Sequence, residues 1–594
     1  MGADDAQALL ALIRESVIGE DHLMETPYGA RRVTYADYTA SGRALTFLED
    51  FIREEVLPSY ANTHTESSGT GLQTTRLRED ARAIIHAAVG GDDDTVVLFA
   101  GSGCTGAIAK LIGVLGLRVP SVLEDAYGLT GHIPTAERPV VFVGPYEHHS
   151  NEVPWRESIA DVVVIHQDGD GGVDVGDLRT QLERYADRAL KIGSFSAASN
   201  VTGIISDTAG IAELLHEHGA LSLWDFAAAA PYVDISMRAL PGRPASYKDA
   251  VFLSPHKFVG GPQTPGVLVA RRELFANRVP DVPGGGTVAY VNDDEHRYLD
   301  DPAHREEGGT PAIIEAVRAG LVFQLKEAVG TDTIREHEDR HLARAVAAWR
   351  DEPALELLGN LDAPRLSIVS FVVRSPSGRY LHHNYVVALL NDLFGIQSRG
   401  GCSCAGPYGH RLLGIDLERS HEFEREITGG CEGIKPGWVR VNLNYFVSDA
   451  VADYLVEAVR LVARDGWRLL GDYRFDPASG RWRHRDGVVA PPLSLHDVSY
   501  AAGRPSFPTH RATGGEQLLA EHLRDGAAIL AAGAGPDLDS HPALRPGVIS
   551  PDFEHLRWFD LPASSLREAD EEVGSSSRAS DEGARDRRIE TVDP

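Results

Sequence analysis

A chain of 594 residues exceeds what one hydrophobic core sustains, so two or three domains are expected. A formal charge of -30 leaves no basic footprint for nucleic acid or an anionic membrane surface. Four cysteines are too few for a disulfide scaffold, no apolar run reaches membrane-spanning length, and the N-terminus lacks the basic start and apolar stretch of a signal peptide, which reads as a soluble cytoplasmic protein.

In chain order, residues 1–25 form a helical segment, periodic from Asp4 to Val17. Residues 35–42 read as a short strand ending in small polar residues, followed by a helix through Leu45, Leu48, Phe51 and Ile52. The loop 61–71 is dense in hydroxyls and carries His64. From Thr95 onward strands and helices alternate, with strands expected at 95–100, 139–144, 161–166, 190–196, 221–226, 250–254 and 266–270 and helices at 175–186 and 208–218. That alternation predicts a large α/β domain over 26–309, built on a seven-stranded, mainly parallel sheet with helices on both faces. Long amphipathic helices at 313–329 and 333–349 open a smaller α/β domain over 310–470, with strands at 365–373 and 438–444 and helices at 382–393 and 447–463. A C-terminal extension over 471–562 has a hairpin at 474–485 and a helix at 515–532, with little to make an independent core. Residues 563–594 are Ser-, Glu-, Asp- and Arg-rich and are expected to be disordered.

Chemistry-bearing residues follow the strands. Lys257 stands in Ser254-Pro255-His256-Lys257 after the apolar run 250–253, one of only six lysines in the chain. A lysine set among serine, histidine and glycine past a strand end suits an amine that condenses with a carbonyl better than a solvated charge. Gly101-Ser102-Gly103-Cys104-Thr105-Gly106 joins a strand to a helix and suits phosphate binding; read literally it is also a dinucleotide fingerprint, with Glu124 at ribose-binding distance, so an NAD-dependent oxidoreductase is an alternative. His148, in Glu147-His148-His149-Ser150-Asn151, could stack on an aromatic cofactor or act as an acid or base, and adjacent histidines without a third ligand make no metal site. Asp225 is the one carboxylate of an apolar strand and needs a cationic partner, such as a pyridine nitrogen. Asn200 offers an amide at another strand end. Arg440, alone among apolar residues, needs an anion; a substrate carboxylate is preferred over an internal salt bridge.

Taken with Gly308-Gly309-Thr310-Pro311, these motifs resemble, in order from about Tyr35 to Ala463, the class V aminotransferase family in its cysteine desulfurase branch. The resemblance implies pyridoxal 5'-phosphate on the fold type I scaffold of these transferases. Lys257 would form the Schiff base, Asp225 would pair with the pyridine nitrogen, His148 would stack on the ring and Asn200 would face the ring oxygen. Thr105, Ser254 and His256 would bind phosphate with Gly103 and Cys104 beside them, joined by Thr310 from the second subunit of a homodimer. The family commonly has glutamine where this chain has Ala228.

The reaction rests on Ser398-Arg399-Gly400-Gly401-Cys402-Ser403-Cys404. Glycine and serine make this loop mobile and exposed, and its C-x-C pair could instead bind metal or cycle as a redox pair. The resemblance aligns Cys404 with the cysteine that takes sulfur from the substrate, giving alanine and an enzyme persulfide, with a protein as possible further acceptor. Cys402 would be a relay or incidental. Arg399 and Arg440 would clamp the substrate carboxylate, and the insertion at 405–437 would lie between them. The alternative within the fold is an aminotransferase, epimerase or kynureninase-like lyase in which Cys404 is no nucleophile.

Overall fold

The computed structural model describes residues 3–63, 65–487, 493–501, 503–509, 511–538 and 549–566. His64 and the tail beyond residue 566 lie outside them. The strands of the central sheet, in chain order, are β1 (Thr95–Phe99), β2 (Val140–Val143), β3 (Asp161–Val164), β4 (Lys191–Ser196), β5 (Leu221–Asp225), β6 (Ala250–Leu253) and β7 (Val267–Arg271). They form a seven-stranded sheet in the order β1-β7-β6-β5-β4-β2-β3. Only β7 runs against its neighbours, β1 and β6; the remaining pairs are parallel.

Strands such as Val140–Val143 and Ala250–Leu253 are buried at every position, because both faces of the sheet are covered. On one face the helix Gly103–Val114 packs Ala107, Ile108 and Leu111 against Leu98, Phe252 and Leu268. On the other, Gly69–Ala88 and Ile313–Val329 bring Ile85, Val322 and Phe323 onto Val97, Val251 and Val269. The N-terminal helix Ala3–Ser16 inserts Leu10 and Ile13 into that second core. The extended stretch expected over 35–42 is shorter: Thr34–Tyr35 alone is a strand, paired in parallel with Ile396–Gln397, and Asp37 starts a turn by accepting a hydrogen bond from Ala40 N at 2.9 Å. This pairing ties the N-terminal part of the chain to the strands that lead into the cysteine loop.

The second unit is an antiparallel sheet of β8 (Leu355–Leu357), β9 (Ile368–Arg374), β10 (Arg399–Gly401) and β11 (Trp438–Asn442) in the order β8-β9-β11-β10, with the helices His383–Phe394 and Asp449–Asp465 alongside. The C-terminal segment adds to this unit rather than standing apart from it. The hairpin Tyr473–Asp476/Arg481–His484 and the stretch 549–566 bury Phe475, Trp482, Phe553, Phe559 and Leu561 in the same core as Leu389, Phe394 and Val441. Residues 563–566, expected to be disordered, are ordered as far as the description reaches: Ser565 is fully buried and bonds Leu470 O at 2.7 Å. Their sequence is polar, but the hydrophobic neighbours that hold them come from elsewhere in the chain. Among the described residues no helix is long and apolar enough to cross a membrane.

Candidate active site

In the central sheet β1, β2, β4, β5 and β6 all end at one edge, and that is where an open α/β sheet binds its ligand. The loops after them enclose a cavity of about 230 Å³. Gly103, Cys104, Thr105, His148, Asn200, Asp225, Ser254, His256 and Lys257 line it, and Arg399, Cys404 and Arg440 close it from the second unit. Thr310 and Cys402 do not line it; Thr310 is exposed and accepts a hydrogen bond from Asn62 Nδ2 at 3.4 Å.

Each wall has a local cause. Lys257 lies on a short 3-10 turn, Pro255–Lys257, directly after β6, with its N–H bonded to Ser254 O at 3.0 Å. Burial lowers its amine below the ordinary lysine range, and burial raises the Asp225 carboxyl above its own. Asp225 is 4% exposed and accepts from Ala227 N at 2.7 Å. His148 caps a short turn, its Nδ1 held by Ser150 N at 3.1 Å and Ser150 Oγ at 3.0 Å. Burial, then the Lys257 charge, pushes its pKa down to about 3, and the same two causes lower His256 to about 4. Behind His148, buried Glu147 accepts from Ser196 N, Ser196 Oγ and Asn151 Nδ2 at 2.6–2.8 Å, and burial pushes its pKa up to about 7.

The glycine loop meets β6. Cys104 N donates to Ser254 Oγ at 2.9 Å, and Thr105 Oγ1 lies 2.6 Å from Ser150 Oγ. Gly103 has φ +54°, and a Cβ there would stand 2.7 Å from His256 Cε1 and 2.9 Å from Ser254 Oγ. The dinucleotide reading fails here. The sheet order places β1 at an edge against an antiparallel strand, and the Glu124 carboxylate is taken by Thr130 N and Thr130 Oγ1, both at 2.8 Å.

The residues present fit pyridoxal phosphate on their own terms. A buried carboxylate and the half-buried Lys257 share one cavity, hydroxyls and a helix N-terminus converge beside Gly103, and Asn200 Oδ1 is buried with no hydrogen-bond partner among the described residues. The Asn200 amide nitrogen is already engaged, donating to Ser403 O at 2.8 Å. Ala228 lines the cavity.

The cysteine loop is more constrained than its glycines and serines suggest. β10 pairs Arg399 with Arg440 across the ladder. Cys404 O accepts from His149 N at 2.8 Å, and Gly406 N donates to His149 Nε2 at 3.0 Å. Ser403 and Cys404 have φ +50° and +55°, so two non-glycine residues take left-handed backbone and leave Cys404 exposed at the cavity. The two arginines are not free. Asp37 Oδ1 accepts from Arg440 Nη2 at 3.0 Å and Asp37 Oδ2 from Arg399 Nε at 2.9 Å, so the internal salt bridge ranked second from sequence is present. Sequence reasoning missed Asp37 and also Lys435, which pairs with Glu432 at 3.1 Å. Burial lowers the Lys435 amine, but the Glu432 bond and the Cys402 and Cys404 thiols outweigh it. Nothing local in the sequence marks either residue.

A probable cysteine desulfurase of Aeropyrum pernix is 28% identical over 393 residues, 64% of this chain and 87% of that one. A cysteine desulfurase of Dickeya dadantii is 27% identical over 395 residues, 65% and 86% of the two chains. Among solved structures, the apo cysteine desulfurase of Thermococcus onnurineus shares the fold at a TM-score of 0.58 and 22% identity, over 73% of this chain and 95% of that one. Residues 34–417, which include the whole strand-end set from Gly103 to Lys257 together with Arg399 and Cys404, match the description "Aminotransferase class-V", and the chain belongs to that family of pyridoxal-phosphate enzymes.

Proposed function

We propose that this class V enzyme is a C–S lyase that converts L-cysteine to L-alanine and passes the sulfur to Cys404 as a persulfide. The observation that carries the reading is Cys404 itself: an exposed thiol, held in left-handed backbone on the wall of the cavity that contains Lys257. The names of the relatives support it. When bound, pyridoxal phosphate supplies an electron sink for charge developing at the substrate Cα.

In this reading Lys257 tethers the cofactor and moves the Cα proton, a task helped by an amine whose pKa burial lowers. Asp225 pairs with the ring nitrogen, His148 packs on the ring and Asn200 faces the ring oxygen. Thr105, Ser254 and His256 hold the phosphate beside Gly103 and Cys104. Arg399 and Arg440 orient the substrate carboxylate. The Cys404 thiolate attacks the substrate sulfur; the S–S bond forms as the Cβ–S bond breaks. The bonding pair stays with the carbon skeleton, which takes up a proton and leaves as alanine. Cys402 stands two residues away as a relay thiol, and a thiol protein is the eventual acceptor. Thr310, exposed and outside its own cavity, completes the partner's site in a homodimer. Four free cysteines fit a reducing cytoplasm.

The test is alanine and sulfide formation from L-cysteine with a thiol reductant. Wild type forms both, and Cys404→Ser loses sulfide release. Sulfide release at the wild-type rate in Cys404→Ser would sink the persulfide step and leave a transferase or lyase that does not use the thiol.

A further inference from the structure

Arg399 and Arg440 face each other across one ladder rung, and both residues line the cavity. Two cations so placed repel, and Arg440 is 4% exposed with little water to screen it. Asp37 bridges them through its two carboxylate oxygens, at 3.0 Å to Arg440 and 2.9 Å to Arg399. It is itself 12% exposed and does not line the cavity, so it acts from behind the arginines without filling the space in front of them. Arg440 Nη1 is fastened separately to Asn200 O at 3.0 Å. On the thiol side, Lys435 is matched by Glu432 at 3.1 Å. Within the cluster itself, two arginines stand against one carboxylate, a net single positive charge.

We infer that Asp37 is a specificity-determining counter-ion: it aligns the two arginines and leaves one positive charge to be matched, so the site takes an amino acid with one carboxylate and disfavours one with a second acidic group. The inference rests on the carboxylate-clamp role proposed above. Asp37→Asn keeps the size of the side chain and one acceptor oxygen but raises the net charge by one, which should shift the cavity toward dianions.

The test uses the cofactor-loaded enzyme and two unreactive probes, propanoate and butanedioate, with affinities measured by ligand-detected NMR. The preference for butanedioate over propanoate should rise by about tenfold or more in Asp37→Asn. A ratio that stays within about threefold of wild type, in a variant with the wild-type cofactor absorbance, overturns the inference alone. Absence of saturable carboxylate binding in the wild type overturns the clamp as well. If Asp37→Asn does not hold the cofactor, the double variant Asp37→Asn/Arg399→Gln carries the test, because it restores the single positive charge. It must then return the wild-type ratio, and a double variant that prefers the dianion overturns the inference.

Discussion

Gly103→Ala puts the phosphate end of the site under a defined strain. Two costs can be separated. Gly103 has φ +54°, and an L-residue in left-handed backbone costs roughly 1–2 kcal/mol. The new Cβ would also lie 2.7 Å from His256 Cε1 and 2.9 Å from Ser254 Oγ, an overpacking worth roughly 1–3 kcal/mol. The overlap is relieved only by moving the two side chains proposed to hold phosphate, one of which also accepts from Cys104 N at 2.9 Å. The second cost therefore falls on the cofactor, weakening its binding by roughly five- to 150-fold. Gly116→Ala is the control: it has φ +67°, and nothing lies within 4 Å of its Cβ position, so it bears the backbone cost alone. The assay is equilibrium titration of the cofactor-free protein with pyridoxal phosphate, alongside thermal unfolding of both variants. A Gly103→Ala protein that binds the cofactor within about a factor of two of wild type, and unfolds no earlier than Gly116→Ala, would refute the reasoning.

Borohydride reduction should fix the cofactor irreversibly to wild type but not to Lys257→Ala, as read by intact mass; a labelled Lys257→Ala protein would place the tether elsewhere. His148 is held neutral in the fold, with a pKa near 3 against about 6.5 when unfolded. A lowered folded pKa means the unfolded chain binds the extra proton, so this residue's contribution is intact above about pH 6.5 and is lost as pH falls toward 3. In the cofactor-free protein, the stability advantage of wild type over His148→Asn should shrink by about 1–2 kcal/mol between pH 7 and pH 5, as denaturant unfolding reads it, and a pH-independent difference would contradict the assignment. Phe559→Ala empties a fully buried site in the shared C-terminal core and should cost about 3–5 kcal/mol in unfolding free energy; a variant as stable as wild type would mean the segment 549–566 is not part of that core.

Most of the central sheet and one half of the site are legible without coordinates. Each cofactor-side residue follows a β-branched or aromatic run that can only be a buried strand: Asp225 closes Leu221–Asp225, and Lys257 follows Ala250–Leu253 by four residues. Strand periodicity and loop chemistry are local, and parallel strands carry their loops to one edge, so sequence order already groups these residues. The C-terminal segment was not legible, because its apolar residues are too few for a core of their own and bury in a core that the second unit supplies, with Leu389, Phe394 and Val441 among its members. Nor was the hold on Cys404, which depends on His149 more than 250 residues earlier. The same applies to the partner of the arginines. Asp37 meets Arg399 across 362 positions and Arg440 across 403, and neither stretch carries a trace of the other. Composition and periodicity determine which segments become strands and which of their ends bear chemistry. Which charge answers a buried arginine is decided only when the chain closes, because the cost of an unpaired ion exists only once water has been removed.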